Sequence, residues 1–297
     1  GGPVLSARMA GTFASATGAI TVDLGQIARN WRALAERVQP AGCGAVVKAD
    51  AYGLGAERII PSLVRAGCTT FFIATPAEAE LARRLAPNAT LYALDGLVGE
   101  CGEAFAHFNV RPVLSTLDDI VAWSALGRAR KTNLAAGLHI DTGLNRLGLG
   151  VRETRRLHAE PELAGGSEFK LIMSHLASAD MPRDPKNREQ LVTFETLTQL
   201  FPGVARSLAA SDGLMLGPAY HFDLVRPGYA LYGGQASESS PAPVRPAVSV
   251  QARILAIADV AVGETVGYSA TWRARRPSRI ATIAAGYADG VPRGASG

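Results

Sequence analysis

Short apolar runs alternate with amphipathic stretches along most of the chain. The runs are too short for helices and lack a regular polar face, as expected of strands that are buried on both sides in a parallel sheet. The predicted strands are 45–48, 71–74, 91–94, 112–114, 136–141, 170–175, 206–210 and 222–226, with a further short strand at 20–23. The pattern therefore predicts an α/β protein with eight strands in its main part.

Helical patterns lie between most of these runs. Residues 24–38 carry an apolar face, and further helices are predicted from 115–118 onward and over 187–201. Thr75-Pro76-Ala77-Glu78 has the residue types of a capping box, with proline at the first helical position. This alternation predicts a (β/α)8 TIM-type barrel over residues 19–240. A doubly wound open sheet is the alternative, which the strand count and the absence of a GxGxxG motif disfavour.

The pattern changes after residue 234. Residues 235–246 contain serine, glutamate and proline, as linkers do, and alternating apolar positions from Val248 to Ala258 predict a half-buried strand. A turn at 262–264 and a strand at 279–284 follow, so residues 241–297 are predicted to form the start of an all-β C-terminal domain. Three or four strands are few for an independent domain, and we expect this domain to be incomplete in the chain. Residues 1–18 are expected to form a flexible tail.

Composition and charge exclude several classes of protein. Of the 297 residues, 47% are hydrophobic and 19% are charged, which is typical of a globular enzyme. The net charge of +4 is modest, and the one basic cluster, 273–279, is interpreted as a solvated turn rather than a nucleic-acid surface. Three cysteines without a CxxC pair predict a reducing compartment, and we expect a cytoplasmic protein. The lack of a membrane-length apolar run predicts no membrane partner. The scattered charge predicts no nucleic-acid partner.

Polar and charged side chains follow several predicted strands. In a barrel such residues meet at one mouth, where active sites lie. They are Lys48, Asp141, Arg146, His175, Ser211 and Arg226. Each has an ordinary structural explanation on its own, and Lys48 fits a strand that ends in solvent as well as it fits a reactive amine. Taken together they predict one cationic site.

The loops after the last two predicted strands favour an anionic ligand. Residues 210–213 and 226–229 contain glycine and Ser211, and late barrel loops commonly bind phosphate. A reactive lysine beside a phosphate site is the combination expected for pyridoxal 5′-phosphate. The sequence shows no cluster with metal-ligand spacing, no GxSxG and no P-loop.

Six motifs, in this order, resemble alanine racemase. They are AVVKADAYG at 45–53, HIDTGLNRLG at 139–148, SHLASAD at 174–180, VRPGYALYG at 225–233, VGYSA at 266–270 and AGYADG at 285–290. The resemblance extends from about residue 20 to the end of the chain. It implies a homodimeric pyridoxal-phosphate enzyme that interconverts L- and D-alanine and supplies D-alanine for peptidoglycan.

The resemblance also implies two proton-transfer groups. Lys48 would hold the cofactor as a Schiff base and act on one face of the substrate Cα, and Tyr268 would act on the other face in the partner subunit's site. Racemisation requires both faces, which a single base cannot easily reach. Arg226 would bond the pyridine nitrogen and His175 would link it toward Tyr268. Both are expected to supply the positive charge that lowers the tyrosine pKa.

The remaining implied contacts surround the cofactor and the substrate. Arg146 would contact the phenolic oxygen of the cofactor and the substrate carboxylate. The phosphate-binding positions are Tyr52, Ser211, Gly228 and Tyr229, and the positions lining the substrate's access route from the two subunits are Asp180, Tyr287 and Arg293. Three residues depart from the family pattern: His139 replaces a carbamylated lysine of some members, Ala210 an asparagine and Leu54 a histidine.

Three other functions are compatible with parts of the sequence. A broad-specificity racemase would share all six motifs. A non-catalytic pyridoxal-phosphate carrier would be a single barrel, so Tyr268 and the strands after residue 248 argue against it. A decarboxylase of similar architecture would carry a carboxylate near the pyridine nitrogen, which Arg226 argues against.

Overall fold

The computed structural model describes residues 16–235, 242–292 and 294. The chain divides into two compact units, Asp23–Ala247 and the described residues up to Val22 together with those from Val248 onward. The first strand, β1 (Gly18–Val22), belongs to the second unit. Most of the predicted tail and part of the predicted linker, residues 1–15 and 236–241, lie outside the described residues. Within those residues, no helix is long and apolar enough to cross a membrane.

Eight parallel strands close into a barrel within Asp23–Ala247. They are β2 (Gly42–Cys43) continued by β3 (Ala45–Val46), β4 (Thr70–Ile73), β5 (Thr90–Ala93), β6 (Val110–Leu114), β7 (Leu134–His139), β8 (Ser167–Met173), β9 (Ala205–Ser207) and β10 (Leu224–Val225). Strands β3 to β9 pair in sequence order, and β10 pairs with β2. The amide of Arg226 donates to the Ala209 carbonyl at 3.0 Å, which joins β10 to the β9 side. The predicted barrel is confirmed, and the open sheet is wrong because its two edges are joined through β10.

Eight helical segments follow or precede the barrel strands. They are α1 (Leu24–Arg37), α2 (Lys48–Gly53), α3 (Ala56–Ala66), α4 (Pro76–Leu85), α5 (Gly102–His107), α6 (Leu117–Ala129), α7 (Val151–Ala159) and α8 (Pro185–Thr198). Short 3-10 helices occur at Pro161–Ala164, Gly213–Leu216, Pro218–Tyr220, Tyr229–Tyr232, Tyr268–Ala270 and Tyr287–Asp289. The helices placed from the sequence did not include α3, α5 or α7. Of these, α3 follows two glycines and contains Pro61, and both residue types usually interrupt helices.

An apolar core fills the barrel beneath its C-terminal mouth. Its buried residues come from five strands and are Val46, Phe72, Tyr92, Val113, Leu171 and Met173. The rings of Phe72 and Tyr92 stack with their centroids 5.3 Å apart. Val46 and Met173 also line a cavity at the strand ends. The core therefore forms the floor of that cavity.

The second unit is built from antiparallel strand pairs. β11 (Val248–Ala252) pairs with β1, β12 (Ile254–Val260) with β15 (Ser278–Ile283), and β13 (Thr265–Val266) with β14 (Trp272–Arg273). The prediction of one strand from Val248 to Ala258 is wrong: the chain breaks at Arg253 because its two halves pair with different partners. The predicted all-β character of this region is confirmed.

Candidate active site

A cavity of about 480 Å³ opens at the C-terminal ends of the barrel strands. It is large enough for a cofactor-sized ligand. The predicted site residues that line it are Lys48, Tyr52, Arg146, His175, Asp180, Ser211, Arg226, Gly228 and Tyr229, and His139 lines it as well. Asp141 does not line it. Tyr268 and Tyr287 belong to the other unit, and Arg293 lies outside the described residues.

Lys48 begins a turn of unusual backbone conformation. The four residues from Ala49 to Tyr52 have φ between 52° and 61°, so the segment Lys48–Gly53 is one left-handed turn rather than an ordinary helix. Each L-residue held there costs about 1–2 kcal/mol. Lys48 itself is half-buried, and no carboxylate lies within ion-pair distance of its amine in the described part of the chain. The turn therefore presents an unpaired amine to the cavity.

Arg226 is a buried cation that lines the same cavity as Lys48. Its Nη1 donates to the carbonyl and hydroxyl of Ser207 at 2.8 and 2.6 Å, and its Nη2 donates to the Ser174 carbonyl at 2.6 Å. Burial lowers the pKa of the guanidinium to about 9, so it remains charged at pH 7. None of the ion pairs among the described residues includes it. A buried charge without a counter-charge is costly, and an electron-rich ligand atom would offset part of that cost.

Two histidines beside Arg226 are neutral. Burial, followed by the charges of Arg226, Arg146, His139 and Lys48, lowers the pKa of His175 to about 3. Burial, assisted by Arg226 and Arg146 and opposed by Asp141, lowers the pKa of His139 to about 4. In the single chain the surroundings of His175 favour the neutral ring, so the expectation that it supplies positive charge stays a prediction that these surroundings do not support. Arg226 is the group that carries charge.

Hydroxyl groups converge on the loop after β10. Ser211 Oγ accepts hydrogen bonds from the amides of Gly228 at 3.0 Å and Ala230 at 3.3 Å, which leaves its own hydrogen available for another acceptor. A Cβ added to Gly228 would lie 2.1 Å from Tyr52 Oη, so the glycine allows that hydroxyl to approach the loop. Tyr229 donates its hydroxyl to Asp212. The free donors of Ser211 and Tyr52 fit a phosphate group.

Polar residues that the sequence did not single out hold these groups in place. Gln190 is fully buried on α8. Its Nε2 donates to the His175 carbonyl at 2.9 Å and to Thr142 Oγ1 at 3.1 Å. Its Oε1 accepts a hydrogen bond from the Ala177 amide at 2.8 Å. The Asp141 carboxylate accepts three amides of the loop that carries Arg146. Asp141 thus shapes a loop instead of facing the cavity. No signal in the sequence pointed to Gln190, because the burial of one polar residue on this helix is visible only in the packed structure.

The amine, the hydroxyl pair and the buried cation together fit pyridoxal phosphate. Lys48 would bind its carbonyl carbon, Ser211 and Tyr52 its phosphate, and Arg226 its ring nitrogen. These residues follow three different barrel strands, β3, β9 and β10, and meet because the barrel is closed.

Comparison with known proteins agrees with this geometry. The family model described as alanine racemase, N-terminal domain matches residues 22–236. The model described as alanine racemase, C-terminal domain matches residues 247–297. The chain belongs to the alanine racemase family. The resemblance seen in the six sequence motifs is confirmed.

Individual alanine racemases are similar over most of the chain. The alanine racemase of Methylobacterium sp. (strain 4-46) is 46% identical over 283 residues, which cover 94% of this chain and 76% of the relative. That of Acidiphilium cryptum is 48% identical over 278 residues, 93% of this chain and 77% of the relative. The crystal structure of the Bartonella henselae alanine racemase, which has covalently bound pyridoxal phosphate, aligns with a TM-score of 0.86 at 39% identity and covers 94% of this chain and 78% of that one.

Proposed function

We propose that this chain is a pyridoxal-phosphate-dependent alanine racemase that interconverts L- and D-alanine. The observation that carries the proposal is the single cavity in which Lys48, Arg146, Ser211 and Arg226 meet, in a chain matched by both family models. The product D-alanine would serve peptidoglycan synthesis, as is typical of the family. The reaction is typical of the cytoplasm, where we place the protein.

Bound in the cavity, pyridoxal phosphate supplies a carbonyl carbon for an amino group and a ring that withdraws electrons from the substrate Cα. Lys48 Nζ would hold that carbon until the substrate amine takes its place, and the released amine would then exchange a proton with one face of Cα. Arg146 would neutralise the substrate carboxylate. Arg226 remains protonated at pH 7, so it would donate to the ring nitrogen without giving up its proton. A ring nitrogen left unprotonated withdraws electrons less strongly, which limits side reactions at Cα.

The second proton-transfer group is Tyr268, supplied by a second copy of the chain. Its side chain is 92% exposed in the single chain, as expected of a group whose partner is another subunit. A homodimer with shared active sites is part of the same proposal. Tyr287, which is 79% exposed, and Arg293, which lies outside the described residues, would line the substrate route, as the resemblance implies. Asp180, which is exposed at the cavity, would line it from the barrel side.

The test is a racemisation assay in both directions with a panel of amino acids. We expect Lys48→Ala to abolish turnover. Racemisation must slow equally in both directions, because the two enantiomers have equal free energy. The two bases are therefore separated by exchange of the Cα hydrogen with solvent deuterium: Tyr268→Phe should slow this exchange from L-alanine far more than from D-alanine, because each base serves one face. Equal losses of exchange from the two enantiomers would contradict the two-base assignment. Equal rates with several larger amino acids would favour the broad-specificity racemase, and cofactor binding without any turnover would favour the carrier.

A further inference from the structure

The Glu78 carboxylate joins three backbone amides at the mouth of the barrel. Its Oε1 accepts the Ala49 amide at 2.7 Å. Its Oε2 accepts the amides of Ala74 at 2.7 Å and Thr75 at 3.4 Å. Ala49 directly follows Lys48, and Ala74 directly follows β4. One side chain on α4 therefore connects the neighbouring strand end to the first residue of the Lys48 turn.

Helix capping alone does not explain this arrangement. A glutamate at the third helical position caps a helix by accepting the amide of the residue before it, which here is Thr75. That bond is the longest of the three, whereas the two short bonds go to Ala49 and Ala74, outside the helix. The carboxylate is thus placed for the strand end and the turn rather than for the helix terminus.

The turn needs such a partner. Four consecutive L-residues in the left-handed region are disfavoured, and such strain persists only where surrounding contacts impose it. At its buried end, the Ala51 amide donates to the Val47 carbonyl at 2.9 Å. At its exposed start, the Ala49 amide donates to Glu78, and a bond to an ionised acceptor is stronger than one to a neutral oxygen.

We propose that Glu78 is a positioning residue for Lys48. By holding the Ala49 amide, it fixes the left-handed turn and so directs both the Lys48 amine and Tyr52 into the cavity. The hydrogen bonds of Glu78 alone support its role in fixing the turn. The consequence for turnover rests on the proposed function, in which Lys48 is the reactive amine.

The test compares Glu78→Gln with Glu153→Gln. Ala49 and Ala74 donate to different oxygens of Glu78, so the amide group of Glu78→Gln would face one of them with an NH2 donor that cannot accept its hydrogen bond. Glu153 occupies the same helical position on α7 and accepts the Gly150 amide at 3.2 Å, which makes it a control for capping. Hydrogen exchange of the apo chain is followed over residues 47–56. The rate at which Lys48 binds added pyridoxal phosphate is then measured by absorbance, together with kcat and KM for alanine.

We expect Glu78→Gln to speed hydrogen exchange at the Ala49 amide about tenfold or more. The rate of cofactor attachment and kcat should fall by a similar factor, whereas KM should change little. Glu153→Gln should leave exchange over 47–56 unchanged. The proposal would be overturned if the exchange rate over residues 47–56 in Glu78→Gln equalled that of wild type, or if the two variants had equal effects on it. If exchange is faster in Glu78→Gln but the wild-type protein racemises no amino acid, the fixed turn is supported and the proposed function is refuted.

Discussion

Gly228→Ala tests whether Tyr52 and the loop after β10 form the phosphate site. The new Cβ would lie 2.1 Å from Tyr52 Oη and 3.0 Å from its Cζ. Ordinary contact begins near 3.4 Å, so the hydroxyl has to move by about 1.3 Å. Tyr52 is 41% exposed and can rotate outward, and we expect a stability cost near the low end of overpacking, about 1 kcal/mol.

The larger effect falls on the cofactor. An outward rotation removes one hydrogen bond to the phosphate, and a bond to a charged group contributes about 1.5–3 kcal/mol. Since about 1.4 kcal/mol corresponds to tenfold in affinity, the dissociation constant of pyridoxal phosphate should rise roughly 10- to 100-fold. The assay is an absorbance titration of the apo chain with the cofactor, alongside urea unfolding of the same samples.

A double-mutant cycle with Tyr52→Phe decides the interpretation. Tyr52→Phe removes the hydroxyl itself, so adding Gly228→Ala to it should weaken binding little further. The backbone of Gly228, at φ −119° and ψ −95°, adds a cost to alanine that both backgrounds share and that cancels in the cycle. Losses that simply add in the double variant would refute the claim that Gly228 acts through the Tyr52 hydroxyl.

Two further predictions concern the buried polar groups around the cavity. The pKa of His139 is lowered to about 4 and that of His175 to about 3, whereas an unfolded histidine titrates near about 6.5. The unfolded chain therefore binds more protons as pH falls below about 6.5, and the free energy of unfolding should decrease by up to about 1.4 kcal/mol per pH unit for each histidine. Urea unfolding of apo His175→Asn should show a shallower decrease between pH 6 and pH 4.5 than wild type, and an identical slope would contradict this account. Gln190→Met leaves the Ala177 amide and the His175 carbonyl unpaired and should cost about 2–4 kcal/mol in urea unfolding. Thr196→Ala, at an exposed position of α8, should cost under about 0.5 kcal/mol. Equal costs of the two variants would show that the Gln190 bonds contribute nothing.

The barrel and the convergence of its charged residues could be predicted from the sequence. Apolar runs and capping signals gave the order of strands and helices, and a closed parallel barrel brings every strand end to one mouth. Lys48, His175 and Arg226 could therefore be assigned to one site without coordinates. The pairing of β1 with β11 could not, because it joins segments from opposite ends of the chain.

The charge states and the supporting contacts also required the structure. The lowered pKa of His175 comes from its burial and from the charge of Arg226, and neither is encoded in a local motif. The left-handed turn after Lys48 runs through alanine, aspartate and tyrosine, which local preference assigns to other conformations. Glu78 was predicted as part of a capping box, whereas its bond to Ala49 depends on the packing of α4 beside α2.

The central claim is that Lys48 is the amine that holds pyridoxal phosphate in this cavity. The most direct test is to load the chain with the cofactor, reduce it with borohydride, and locate the modified residue by peptide mass spectrometry. We predict a single pyridoxyl group on Lys48 and none in Lys48→Ala. Stable modification of another lysine, or no modification of a chain that racemises alanine, would contradict the claim.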